Sequence, residues 1–345
     1  MTPLVLGLFH SRFAGDDSLM QLARRRFQQA GLSAEMNAQS AGELEWLLTF
    51  RPFAERPVFV HLPRSIDLLA DTGRGLVLDF VRRFDGRVAG WVVHDQLELA
   101  AFFKDYLEAV RSLNAVLRRL PGKPILFIEN AAGLEPGDFA AFHRSIRDLE
   151  RVSICVDVGH LGLWQTRRTY AGIHPGQDVC ALAPDGPGLS ARIADVERAV
   201  RSALPAVLAF LNVLNPTGKP VHFHLHDGHP LSRTSEFHLS DHLSFLTEVP
   251  VGDAAAGQRL LPPMFGPAGL QKLVSTILGR ARGGPVSFTL EIHPVPARLP
   301  LGDAASLFAH WRDKTNAEKM NHWLSVLVDN SRLLQEALEH SRAVS

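Results

Sequence analysis

The chain has 345 residues, 46% of them hydrophobic, and 36 Lys plus Arg balance 36 Asp plus Glu, so its formal charge at neutral pH is zero. That length and apolar content exclude a disordered chain and suffice for one large α/β barrel or two ordinary domains. The charge balance excludes a global basic field for holding nucleic acid, and no run approaches the roughly 18 uninterrupted apolar residues of a membrane span.

Two cysteines, Cys155 and Cys180, are too few for a disulfide framework, and Cys155 lies in the apolar run VSICVDV. A buried free thiol and a reducing, cytoplasmic setting are the expectation. The opening MTPLVLGLFHSRFAGDD lacks the basic leader and small-residue cleavage site of a secretory signal.

Short apolar, β-branched runs bounded by Gly or Pro read as strands, and eight occur in order. They are LVLGLF ending at Phe9, LSAEMN ending at Asn37, PVFVH ending at His61, VAGWVVH ending at His94, PILFIEN ending at Asn130, SICVDVGH ending at His160, PVHFHLHD ending at Asp227 and PVSFTLEIHP ending at Pro294. Amphipathic runs with Gly or Pro at their ends lie between them, among them DDSLMQLARRRFQQAG, ELAAFFKDYLEAVRSLNAVLRRLPG and FGPAGLQKLVSTILGRARGG. Strand and helix alternating eight times, with strands apolar enough for burial on both faces, predict a single (β/α)8 TIM barrel over residues 1–345.

Two segments depart from the repeat. Residues 161–219 are too long for an ordinary strand-to-helix loop, and they predict an insertion over the active face: GIHPGQDVCALAPDGPGLS as a loop, then one helical run, ARIADVERAVRSALPAVLAFLNVL. Residues 295–345 begin Pro-rich and end in a helix around AEKMNHWLSVLVDNSRLLQEALEH, the final barrel helix with an extension.

Residues with metal-ligand chemistry end the later strands: His61, His94, Glu129, Asp157 with His160, His224 and Glu291. Strand ends in a parallel barrel share one face, which predicts that these groups converge. Clustered acids in a partly dry cleft need cations, and imidazole with carboxylate suits Zn, Mn, Fe or Co. The seventh strand adds His222 and His226, which share a face with His224 by the strand period of two. His224 is the expected ligand and His226 a contact to substrate or to a ligand, while His229 and His238 read as loop residues. Arg12, Arg64 and Lys219 are candidates to neutralise an anionic substrate.

The segments VHLPRSIDLLA, VVH, FIENAAG, CVDVGHL, HLHD and TLEIHP resemble the xylose-isomerase-like barrels, a superfamily that includes sugar isomerases and epimerases and the endonuclease IV group of apurinic endonucleases. The likeness runs from about His61 to Glu291. It implies a shared metal set of Glu129, Asp157, His224 and Glu291, with His160 on a second ion or on the substrate. His61 and His94 then resemble the histidines that hold further ions in the endonuclease branch, so two or three ions per chain are implied. His242, in FHLSDHLSFLTEVPVG, is the candidate for that branch's late histidine ligand, with Asp241 or Asp227 beside it. The endonuclease motifs are altered: HLHDGH stands where that group has His-Leu-Asn-Asp-Ser-Lys, and HDQ where it has His-Pro-Gly.

The expectation is therefore a metal-dependent isomerase or epimerase of a small sugar, ketose or polyol. Glu129 and Glu291 would move the proton on opposite faces of the carbon, His160 would be a further catalytic group, and His226, Asp227 and Arg64 would contact the substrate. The alternatives are a multinuclear-metal phosphodiester hydrolase, with nucleic acid as its less favoured substrate, and an iron-dependent oxidative enzyme on the same ligands.

Overall fold

The computed structural model describes residues 2–10, 17–96, 99–131, 133–184, 186, 188–214, 218–232, 242–252, 259–281, 284–292 and 317–344. Arg12, His238, Asp241 and the Pro-rich start of the C-terminal extension lie outside the described residues.

The strands are β1 (Leu4–His10), β2 (Ser33–Asn37), β3 (Phe59–His61), β4 (Gly90–His94), β5 (Ile125–Glu129), β6 (Val152–Asp157), β7 (Val221–Leu225), β8 (Val249–Val251), β9 (Arg259–Leu261) and β10 (Val286–Leu290). Eight of them close into a parallel barrel in the order β1-β10-β7-β6-β5-β4-β3-β2, and β8 pairs only with β9. The eight runs read as strands are these eight, and the fold is a (β/α)8 TIM barrel. The helices are α1 (Asp17–Gln29), α2 (Ala41–Thr49), α3 (Asp71–Arg83), α4 (Phe103–Leu117), α5 (Pro136–Ser145), α6 (Val158–Ile173), α7 (Ile193–Arg201), α8 (Ala203–Val213), α9 (Gly266–Ala281) and α10 (Ala317–Val344). None of these is long and apolar enough to cross a membrane.

The chain groups into two compact units. The first, Met1–Asp157 with Val213–His224 and Arg280–Leu290, holds the barrel strands and α1 to α5; the second is Val158–Asn212, Leu225–Gly279 and Glu291–Ser345.

In the first unit the pleat sorts the barrel interior into layers. Leu6, Phe59, Val92, Phe127 and Cys155 form a buried apolar cluster, with the Phe59 and Phe127 rings stacked at 5.5 Å between centroids. Two residues further along the same strands the inward positions turn polar: Phe59 gives way to His61, Val92 to His94, Phe127 to Glu129 and Cys155 to Asp157. A strand period of two puts each pair on one face, so an oily layer and a ligand-bearing layer come from the same pleats. Gly90 makes room for this packing, since a Cβ there would lie 2.8 Å from the Phe59 ring. Outside the barrel, Ser40 caps α2 by accepting from Glu43 N at 3.2 Å, and Glu43 accepts from Gln39 N at 2.6 Å, a reciprocal cap that fixes the helix start.

Residues 161–212 lie in the second unit and are mostly helix. Val158, Gly162, Thr166 and Tyr170 are buried at a spacing of four, which gives α6 a continuous inner face starting directly after Asp157. His160 therefore sits in the first turn of a helix, not at the end of a strand. The run predicted as one helix breaks at Ser202 into α7 and α8. Pro205 explains the break: it cannot donate a backbone hydrogen bond and fits only the first turn of a new helix. Trp323 on α10 donates its indole N–H to Ile292 O at 2.8 Å, which ties the C-terminal helix to the segment after β10.

Candidate metal centre

Within the first unit, Glu129 is the hub. Its Oε2 lies 3.0 Å from His61 Nε2 and 3.3 Å from His94 Nε2, and its Oε1 lies 3.4 Å from His224 Nδ1. The Leu62 carbonyl, 3.1 Å from His61 Nδ1, can only accept, so that nitrogen carries a proton and Nε2 is the atom turned toward the carboxylate. A proton or a cation between Nε2 and the carboxylate satisfies both groups. Burial pushes Glu129 up, but His94 and His224 outweigh it and hold the carboxyl well below its ordinary value. Burial pushes His94 down, against the pull of Glu129.

Asp157 completes this set. Glu129, Asp157 and His224 offer ligand atoms within 4.8 Å of one another, as do His61, His94 and Glu129. The end of β6 is fixed by Asn130, whose side chain accepts from Asp157 N at 2.9 Å and donates to Asp157 O at 3.3 Å. That two-way clamp is the physical content of Glu129-Asn130 as a pair: the first side chain points into the barrel and the second locks the neighbouring strand.

One interior residue, Glu35, was not singled out from sequence. Glu35 on β2, fully buried, accepts from His222 Nε2 at 2.9 Å, from His224 Nε2 at 3.0 Å and from the Thr289 hydroxyl. His222 also reaches Ser287 Oγ at 2.8 Å and rests on the rings of Phe59 and Phe127. Burial pushes Glu35 up, and the two imidazoles overcome it to hold the carboxyl far below its ordinary value. The available signal was a lone acid between Ala34 and Met36 in a strand otherwise fit for burial. Burial pushes the Cys155 thiol well up beside these imidazoles.

Within the second unit, His160, His226 and His242 offer ligand nitrogens within 4.8 Å of one another. His242 Nε2 is 3.3 Å from His160 Nε2, His242 Nδ1 is 3.5 Å from Glu291 Oε1, and the His226 and His242 rings stack at 3.9 Å. Paired backbone hydrogen bonds between Asp227 and Leu243, at 2.8 and 2.9 Å, bring His242 to this group. Gly159 is required here, because a Cβ would enter the His226 ring at 2.0 Å. His226 thus lies among candidate donors, beside His160 and His242.

Both oxygens of Asp227 are engaged by backbone amides, from Gly228 at 2.8 Å, Phe265 at 3.1 Å and Gly266 at 2.7 Å, so this side chain caps α9. Arg64 is exposed, and its charge is felt by His94. Lys219 donates to Ile146 O at 2.7 Å, and burial lowers its amine to about 8. His229 lies in the loop after β7, as expected, and is buried there.

The donor chemistry fits divalent transition ions. The sets combine imidazole with carboxylate, and the far nitrogens of His61, His224 and His226 are engaged by Leu62 O, Glu35 and Asp227 O, which is how ligating histidines are held.

No protein-family model matches the chain, and no curated protein matches it. Among solved structures, it is similar to D-psicose 3-epimerase with D-tagatose from Clostridium cellulolyticum H10, at 13% identity over 98% of this chain and 99% of that one, with a TM-score of 0.45. A xylose isomerase domain protein from Alicyclobacillus acidocaldarius matches at 14% identity over 93% and 99%, TM-score 0.40. A thermostable mutant of a xylanase from Cellvibrio japonicus matches at 13% identity over 84% and 86%, TM-score 0.39. Likeness at this level carries no chemistry from one chain to another.

Proposed function

We propose that the chain is a metal-dependent enzyme that isomerises or epimerises a small sugar, ketose or polyol. The observation that carries this reading is the convergence of Glu129, Asp157 and His224, each at most 1% exposed, with ligand atoms within 4.8 Å. Donors buried this deeply suit a small hydroxy-carbonyl molecule better than a duplex nucleic acid, and the zero formal charge points the same way. A bound divalent ion would supply a Lewis acid for adjacent substrate oxygens.

The chain's own groups do the rest. Glu129, at the hub of these donors, would take a proton from carbon, and Glu291, beside His242, is the second carboxyl assigned to proton transfer. Asn130 holds Asp157 in register with Glu129. His61, His94, His160, His226 and His242 are the further donors from which a second or third ion would be held.

Metal analysis of freshly purified protein, followed by solvent deuterium exchange into a panel of ketoses, tests the reading. Uptake of Zn, Mn or Fe and exchange that disappears in Glu129→Gln are expected; a protein that takes up none of these, or shows no exchange across the panel, overturns it. One observation favours a second reading: Glu129 is shared by two donor sets, as a multinuclear hydrolase of phosphodiesters would need. Nicking of abasic duplex DNA, lost in Glu129→Gln, would select that reading instead.

A further inference from the structure

Glu35 is a carboxylate with no exposure to solvent, set on a strand to which the function proposed above assigns nothing. A buried charge is costly unless it is fully hydrogen-bonded, and an apolar side chain of similar size would fill the space without that cost. Its bonds show where the charge is directed. One oxygen faces His224 Nε2 at 3.0 Å, and the other takes His222 Nε2 at 2.9 Å and the Thr289 hydroxyl. His222 is in turn held by Ser287 at 2.8 Å.

We propose that Glu35 is a positioning residue: by accepting the Nε2–H of His224, it fixes that ring so that only Nδ1 is presented to the ion held with Glu129 and Asp157. An ionised carboxylate accepts and cannot donate, so Nε2 must carry the proton. Nδ1 is the atom 3.4 Å from Glu129 Oε1. The negative charge behind the ring raises its basicity as a ligand, and outer partners of this kind are worth about 10–100-fold in metal affinity. The inference rests on the metal-dependent reading for its consequence, but the orientation of His224 does not need an ion.

Nitrogen-15 NMR of the histidines, with zinc titration of metal-free protein, tests it. In zinc-loaded wild type His224 is expected to carry zinc on Nδ1 and a proton on Nε2, and that same Nε2–H is expected before zinc is added. Glu35→Ala should weaken one zinc equivalent by about 10–100-fold. Glu35→Gln, which still offers an oxygen acceptor, should lie between Glu35→Ala and wild type, and Ser287→Ala, one bond further out, should bind zinc as wild type does. Zinc on Nε2 of His224, or undiminished affinity in Glu35→Ala, overturns the proposal, as does a loss in Ser287→Ala equal to that in Glu35→Ala, which would indicate general loosening. If Glu35→Ala does not fold, the wild-type spectrum and Glu35→Gln decide. A wild type that takes up no zinc overturns the metal reading, and the metal-free spectrum then still decides whether Glu35 sets the proton on His224.

Discussion

His229 shows how burial turns a side chain into a pH-dependent term. It lies in the second unit, its Nδ1 accepts from Leu231 N at 3.2 Å, and burial pushes its imidazole down to about 3. The unfolded chain takes up a proton near the ordinary value of about 6.5, whereas the folded chain resists until about 3, so stability is lost as pH falls through that window. Asp227 works in the opposite direction: burial pushes it up to about 7 against its three backbone amide donors, so it protonates in the folded state first. The comparison must therefore be between variants. His229→Asn keeps an acceptor for Leu231 and removes the titrating ring, and its stability should fall less steeply on acidification than wild type, by about 1.4 kcal/mol per pH unit, in urea titrations between pH 6.5 and 4. Parallel pH profiles for the two proteins would refute the assignment. Among single residues, the clustered imidazoles and carboxylates of the barrel were legible because such groups rarely end apolar strands. Glu35 was not, because one acid in a short strand looks the same from sequence whether it faces water or a histidine.

At the level of elements, α9 depends on a residue outside it. Asp227 accepts from Phe265 N and Gly266 N, so the first turn of the helix is satisfied by a carboxylate from the segment after β7. Asp227→Ala should cost about 1–3 kcal/mol of unfolding free energy by stranding those amides, with metal content unchanged. Unaltered stability together with lost turnover would return Asp227 to the substrate. Element identity was readable wherever period and punctuation agreed, as in α1, α4 and α9. It failed at β6 and α6, where the apolar run passes from strand to helix with no Gly or Pro between Asp157 and Val158 to mark the change. The same run therefore reads as one strand to His160. The α7 and α8 break was legible in principle, since Pro205 forbids a continuous helix.

Across the whole molecule, the barrel was legible because eight buried parallel strands leave eight apolar runs at regular intervals, and closure follows from that count. The grouping into two compact units follows no linker: the chain changes unit after Asp157, Asn212, His224, Gly279 and Leu290, and three of these changes fall beside proposed ligands. This has a consequence for the gene. No contiguous stretch of coding sequence specifies the barrel, since β1 needs β10 and β6 needs β7 to close it. A polypeptide of residues 1–157 would carry six strands in an open sheet, with both outer strands baring unpaired backbone along their length. Such a fragment should precipitate or associate with itself on expression, whereas a soluble monomer with cooperative unfolding would mean that the six strands can stand alone. Neither unit is thus a cassette that recombination could shuffle intact, and the two are inherited only together.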